Sequence, residues 1–224
     1  MAGRLVLIPT PLGNLEDITL RALRELKEAD IVAAEDTRHS GRLLAHFEIK
    51  APFMSFHEHN EARQSERIAG LLDEGKTVAL VSDAGTPGIS DPGFRAVRAA
   101  LAGGHQVEAL PGPTALIPAL VISGLPSDRF IFEGFLPRKQ GALRRGFEAL
   151  ADEGRTVIYY ESPHRIAKST AILAELYPQR RIALVREISK RHEEAIRGSA
   201  EEVAARLAEK PVKGEIVLLV GPES

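Results

Sequence analysis

The chain has 224 residues, 44% hydrophobic and 27% charged, a balance that suits one large or two small globular domains and excludes general disorder. A formal net charge of −2 means that any nucleic-acid contact must come from a local basic patch. With no cysteine, the chain has no disulfide framework, thiolate metal site, iron–sulfur cluster or cysteine nucleophile.

An apolar run at residues 5–8 reads as the first strand, preceded by nothing that resembles a signal peptide. Leu20, Leu23, Leu26 and Ala29 then mark one face of a helix, and residues 31–34 read as a second strand. Ile68, Leu71 and Leu72 end an amphipathic helix at Gly75, and residues 78–81 form a buried strand. Phe94, Val97 and Leu101 suit a helix that stops at Gly103, before a strand at 107–110. This alternation predicts βα units and a largely parallel sheet. The turn-rich stretch at 123–128 divides a first αβ domain, residues 1–124, from a second, residues 125–224. The second carries strand patterns at 130–135, 156–160, 182–186, 193–197 and 215–220, with helices near 142–152, 164–176 and 199–209. The fold class is α/β. No apolar run approaches the ~20 residues that span a bilayer, and the expectation is a cytoplasmic protein with no membrane contact.

Glycine and proline cluster where the predicted strands end, the usual ligand edge of an open parallel sheet. PTPLGN at 9–14 follows the first strand; it suits either close backbone approach to a ligand or a plain βα turn. The chain has neither a dinucleotide-type glycine fingerprint nor a P-loop here. Glu35, Asp36 and Arg38 follow the second strand, either as a base and a phosphate clamp or as a helix start with Asp36 or Thr37 as cap. Residues 82–93, SDAGTPGISDPG, form the most informative loop. Asp91-Pro92 suits a helix start, but residues 82–90 exceed what a βα turn needs. Asp83 there is placed to accept from a ribose hydroxyl or an ammonium group. PGPTA at 111–115 opens an apolar helix with small residues. Four such loops on one edge suit a mid-sized cofactor held by backbone contacts.

In the second half cations recur at strand ends, in GFLPRK at 134–139, YESPHR at 160–165 and REISKRHE at 186–193, with Arg180 and Arg181 before the third strand. Singly each suits a solvated surface; together they suit phosphate contact. His57 and His59, two apart, would share one face of a strand; with no third ligand cluster they read as a polar or substrate-facing pair, and no metal site is expected.

Nine segments, in order and spanning nearly the whole chain, resemble one family: PTPLGNLEDIT (9–19), EDTR (35–38), SFHEHNE (55–61), SDAGTPGISDPG, PGPTA, GFLPRK, YESPHR, REISKRHE and KGEIVLLV (213–220). The family is the tetrapyrrole-methylase-type, class III S-adenosylmethionine methyltransferases, and the similarity is to its branch acting on ribosomal RNA. The resemblance implies two αβ domains with S-adenosylmethionine between them, a homodimer, and no metal. It also implies methylation of a cytidine ribose 2′-hydroxyl in the decoding region of 16S rRNA, within the 30S subunit. It places the cofactor against Leu12, Asp83, Gly85, Thr86, Thr114 and Ala115, with Tyr160, Glu161, Ser162, Arg186 and Gly214 from the second domain. Arg38, Arg138, Lys139, His164, Arg165 and Arg186 would then hold RNA. A ribose hydroxyl is a poor acid, and Glu35, Asp36, Lys190 and Glu193 are the candidates to orient or deprotonate it. Rival readings are a same-fold methylase acting on a tetrapyrrole or a protein, and a non-catalytic sensor of the cofactor.

Overall fold

The computed structural model describes residues 3–222, which divide into two compact units at Thr114/Ala115. In the first, β1 (Arg4–Leu7), α1 (Leu20–Glu28), β2 (Ile31–Ala34), α2 (Thr37–His46), β3 (Phe53–Ser55), α3 (Glu61–Asp73), β4 (Thr77–Val81), α4 (Phe94–Ala102) and β5 (Gln106–Ala109) follow one another. The five strands form one parallel sheet in the order β3-β2-β4-β1-β5. Residue alternation gives each face its own core. Val6, Ile8, Val32, Ala34, Ala79 and Val81 pack with Ala22, Leu26 and Leu44 of α1 and α2. Leu5, Leu7, Ala33, Val78 and Leu80 pack with Ile68, Leu72, Ala96 and Ala100 of α3 and α4. Burial on both faces explains why these strands read as continuous apolar runs.

One element escapes the sequence pattern, and a second was legible only at its start, as the cap reading of Asp36. Strand β3 has three residues, too few to show alternation, and α2 is a mostly polar helix with Gly41 in its middle. The helix expected from Asp91-Pro92 begins later, at Phe94 with Gly93 at its N-cap position. Glu61 closes that helix start: its Oε1 accepts from the backbone N–H of Gly93 at 3.0 Å and of Arg95 at 3.2 Å.

The second unit contains α5 (Leu116–Ser123), β6 (Phe130–Phe135), α6 (Gln140–Glu148), β7 (Thr156–Glu161), α7 (Ile166–Leu176), β8 (Arg181–Arg186), β9 (Glu194–Ser199), α8 (Ala200–Glu209) and β10 (Ile216–Val220). Its sheet is mixed, in the order β6-β7-β10-β8-β9, with only β6 and β7 parallel. Leu143 and Phe147 of α6, Ile172 and Leu173 of α7, and Val203 and Leu207 of α8 build its core against Val157, Tyr159, Leu184 and Leu218. A capping box of Ser199 and Glu202 starts α8.

The division at Thr114/Ala115 differs from the one expected at 124/125. The reason is α5, which packs on β8, β9 and β10 through buried Leu116, Ala119 and Leu120. Arg197 of β9 holds the C-terminal end of α5, its Nε donating to the carbonyl oxygens of Ile122 at 3.0 Å and Ser123 at 3.2 Å. The helix stops at Gly124 in the left-handed region, so the turn-rich stretch connects α5 to β6 inside the second unit. No helix among the described residues is long and apolar enough to cross a membrane.

Candidate functional site

Parallel pairing brings the carboxyl ends of β1 to β5 to one edge, so all the glycine- and proline-rich loops of the first unit meet there. Backbone bonds lock them together. Thr10 and Gly85 exchange two N–H···O bonds of 2.9 Å, and the Thr10 hydroxyl donates to the Ser82 carbonyl at 3.1 Å. The Thr86 hydroxyl donates to the Pro113 carbonyl at 2.9 Å, tying the loop after β4 to the loop after β5. Gly85 lies at φ 83°, where a side chain is strained, and a Cβ there would stand 3.3 Å from the Leu12 side chain. A Cβ at Gly112 would meet Pro9 at 2.8 Å. The loops thus approach at backbone distance, and the half-buried Asp83 lies on the same edge.

Asp83 accepts from the Asp36 backbone N–H at 3.0 Å, which joins the loops after β4 and β2. Half-buried Glu35 has a raised pKa: burial is the largest cause, the Asp83 charge adds to it, His57 opposes it and Glu58 raises it further. A carboxyl poised this way holds its proton more readily than an exposed one, the direction a general base requires. Asp36 goes the other way. It is the N-cap of α2, its Oδ1 accepting from the N–H groups of Arg38 at 2.8 Å and His39 at 3.3 Å, and these bonds lower its pKa. Of the two readings of this segment, Asp36 follows the capping one, while Arg38 remains exposed beside it.

His57, Glu58 and His59 lie beyond β3, not on a strand, and the two histidine rings stand 6.0 Å apart. The expected shared strand face is therefore absent. Asn60 accepts from the His57 N–H at 2.9 Å, which orients its amide so that Nδ2 faces the ring Nε2 at 3.1 Å. The other ring nitrogen, Nδ1, is buried without a partner. Among the described residues no group of three or more His, Asp or Glu is placed to hold a metal.

In the second unit, Ile216 pairs with both Glu161 and Arg186, so YESPHR, REISKRHE and the KGE turn share one edge of the sheet, with GFLPRK beside them on β6. The Glu161 carboxylate turns inward with its side chain 0% exposed. It binds the Ser162 N–H at 2.7 Å, the Ser169 hydroxyl at 2.9 Å and the Arg165 guanidinium. Those oxygens position the loop, and only the main chain of residue 161 is left for a cofactor; Arg165 is likewise engaged, also donating to the Leu136 carbonyl at 3.0 Å. Tyr160 is half-buried, and His164, Arg138 and Lys139 are exposed.

Arg186 donates to Glu194 at 2.9 Å and to the Lys213 carbonyl at 3.0 Å, which fixes the turn holding Gly214. Gly214 sits at φ 90°, and a Cβ there would collide with the Glu187 carboxylate. Burial works to lower the Lys190 pKa, but bonds to Glu187 and Glu215, each 3.0 Å, outweigh it and raise it. An ammonium so held keeps its proton, so Lys190 is unsuited to act as a base. Glu193 spends Oε2 on the Ser189 N–H at 2.7 Å. Arg180, grouped by sequence with the surface cations, is instead buried.

The first unit therefore gathers Leu12, Asp83, Gly85 and Thr86 with Glu35, and Thr114 follows directly on Pro113. Ala115 opens the second unit as the N-cap position of α5. Sequence reasoning missed the capping role of Glu61, whose partners lie more than 30 residues away and leave no local signal.

The profile of the tetrapyrrole (corrin/porphyrin) methylases matches residues 4–204. The chain is 53% identical over 193 residues to "Ribosomal RNA small subunit methyltransferase I" of Pseudomonas aeruginosa, covering 86% of this chain and 68% of that protein. It is 44% identical over 222 residues to the Thermotoga maritima protein of the same name, covering 99% and 100%. Among solved structures it is similar to a uroporphyrin-III C-methyltransferase from Thermus thermophilus complexed with S-adenyl homocysteine, with a TM-score of 0.65, 24% identity and coverage of 98% and 97%. The sheet orders, the locked loops of the first unit and these likenesses converge: the chain belongs to the tetrapyrrole methylase family, in the branch of the ribosomal RNA small subunit methyltransferases I.

Proposed function

We propose that this chain transfers the methyl group of S-adenosylmethionine to the ribose 2′-hydroxyl of a cytidine in the decoding region of 16S rRNA, acting on the 30S subunit in the cytoplasm. The observation that carries the donor half is the interlocking of the loops after β1, β4 and β5 at Thr10, Gly85, Thr86 and Pro113, with the half-buried Asp83 on the same edge. Its fit is to a ligand without phosphates: no lysine lines these loops, Asp83 can accept from a ribose hydroxyl or an ammonium group, and Leu12 lies against Gly85 where an apolar ring could rest. Kinship with proteins named for small-subunit ribosomal RNA supports the acceptor.

The bound donor would supply an electrophilic methyl group on a sulfonium, with a neutral thioether as the leaving group. The chain's own task is alignment and proton removal. We assign the proton of the 2′-hydroxyl to Glu35, whose basicity is raised by burial first and by the Asp83 charge second. Asp36, Lys190 and Glu193 serve as a cap, a fixed charge and a loop tie. Leu12, Asp83, Gly85, Thr86, Thr114 and Ala115 form the first set of donor contacts, with Tyr160, Ser162, Arg186, Gly214 and the main chain of Glu161 as the second. Arg38, Arg138, Lys139 and His164 are the exposed RNA contacts.

The test uses labelled S-adenosylmethionine and 30S subunits lacking the modification. Label mapping to 2′-O-methylcytidine supports donor, acceptor and atom together; no label in 30S particles or free rRNA moves the acceptor elsewhere. Arg138→Ala with Lys139→Ala should weaken RNA binding and reduce the salt slope of log affinity by about 1 to 2. A cofactor sensor would show neither change. The homodimer is our inference also. Ile117 and Val121, one turn apart on α5, are exposed apolar residues with Val121 71% accessible. Val121→Glu should shift the sedimenting species toward monomer, and an unchanged mass places the interface elsewhere.

A further inference from the structure

We infer that Phe135 is a base-stacking residue that holds an unpaired nucleotide of the RNA acceptor strand. The inference rests on the RNA reading above. It begins with the register of β6 on β7. Phe132 pairs with Ile158 but Phe135 pairs with Tyr160, so β6 carries one more residue than its partner over the same span. The extra residue falls at Glu133-Gly134, and Gly134 adopts φ 71°, a left-handed conformation that glycine adopts without a Cβ penalty. This is a bulge with glycine at the turning point, a device that re-aims the side chain following it.

The side chain re-aimed is an aromatic one. Tyr160 stands between Phe132 and Phe135, edge-on to both, with ring centroids 4.9 Å and 5.6 Å away. Phe132 and Tyr160 are half-buried, while Phe135 is 61% exposed. Edge contact with Tyr160 steadies the Phe135 ring and leaves a π-face open. Phe94 is exposed as well, but its ring lies under Arg98, 5.7 Å from the guanidinium carbon, whereas the Phe135 ring is held by an aromatic edge.

The surroundings select the ligand. Arg138 and Lys139 follow within four residues on the same loop, both exposed, with no ion pair among the described residues to occupy either. His164 is exposed on the adjacent loop after β7. An aromatic face bordered by free cations is the pattern of single-strand recognition, in which bases stack and phosphates meet the charges. A duplex offers no such base face, so the occupant is a splayed nucleotide at or next to the acceptor. An apolar protein partner would leave Arg138 and Lys139 unpaired at its rim.

The experiment compares wild type with Phe135→Ala, Phe135→Leu and Phe135→Trp, all as the full chain. Three quantities are read: KM for 30S subunits lacking the modification, Kd for S-adenosylmethionine, and solution mass. The ring is exposed, so folding should persist, and a thermal melt checks it. Phe135→Ala and Phe135→Leu should raise KM for 30S by about 5- to 100-fold, the range for loss of one stacking aromatic, with cofactor Kd and mass unchanged. Phe135→Trp should stay near wild type. A Phe135→Ala protein within twofold of wild type on 30S overturns the inference. So does a loss that comes with weaker cofactor binding or with a change in mass, since the ring then serves the donor site or a second copy of the chain. If wild type labels no ribosomal RNA, the acceptor reading itself fails and this inference falls with it.

Discussion

Replacing Arg180 by alanine is expected to destabilise the second unit by about 3–5 kcal/mol, the loss of a buried, fully hydrogen-bonded cation that leaves its acceptors unpaired. Arg180 is 5% exposed, and each guanidinium nitrogen is committed. Nε donates to the Gly221 carbonyl at 2.8 Å, Nη1 to the Leu150 carbonyl at 2.6 Å and Nη2 to the Glu153 carbonyl at 3.0 Å. The Tyr177 ring lies 5.4 Å from the guanidinium carbon. One side chain thereby joins the end of β10, the end of α6 and the turn before β7. Truncation strands three carbonyls, each costing on the order of 1–3 kcal/mol unless water reaches it. At roughly 2–4 °C per kcal/mol for a chain of this size, the melting midpoint should fall by about 10 °C. Arg180→Lys should recover little of this, because one ammonium cannot replace a planar fork aimed in three directions. In a calorimetric trace, any separate transition of residues 3–114 should stay in place while that of residues 115–222 moves. A shift below about 2 °C would sink the assignment.

Arg180 also shows where sequence reading stops. In the sequence it is one of two adjacent arginines before a strand, indistinguishable from Arg181, which is exposed. Its acceptors are 27 to 41 residues away, so no local pattern reveals them. Elements built by local rules were legible: the apolar runs of β1, β2 and β4, the three-residue spacing of α1, and the helix near 199–209 that became α8. The clustering of loops on one edge was legible too, because parallel strands oblige it. Which carboxylate does what was not. Glu35 and Asp36 are neighbours of the same type, yet one is half-buried beside Asp83 and the other caps a helix, and their pKa values move in opposite directions. Lys190 looked like a candidate base until Glu187 and Glu215 were seen to hold it. The bulge at Glu133-Gly134 had a glycine as its only sign, and glycine has too many uses to point to one.

The same contrast sets the expectation for Glu35→Gln: a loss of about 10²–10⁴-fold in single-turnover methyl transfer, the usual worth of a positioned general base. Glutamine keeps the shape and the hydrogen-bonding reach but cannot take the hydroxyl proton. The wild-type rate should rise with pH through the pKa of Glu35, which lies above the ordinary carboxylate value because burial and the Asp83 charge disfavour its ionised form. The variant should lose that step. Stability moves with the opposite sign. With the folded-state pKa raised, the native protein binds the extra proton in the window above the unfolded value, so folding weakens as pH climbs through it and the penalty is complete above the folded value. Glu35→Gln removes the charge and hence the penalty, and should melt slightly higher than wild type at neutral pH, with no such gain well below pH 4.5. Asp36→Asn offers the control. Asparagine still caps a helix, so it should leave both the rate and its pH profile nearly unchanged. A slower, more stable Glu35→Gln protein beside a near-normal Asp36→Asn protein separates a functional carboxyl from a structural one at the next residue of the same chain. If Glu35→Gln retains the full rate, the proton goes elsewhere, and His57, with Nδ1 buried and unpartnered within this cluster, becomes the next residue to replace.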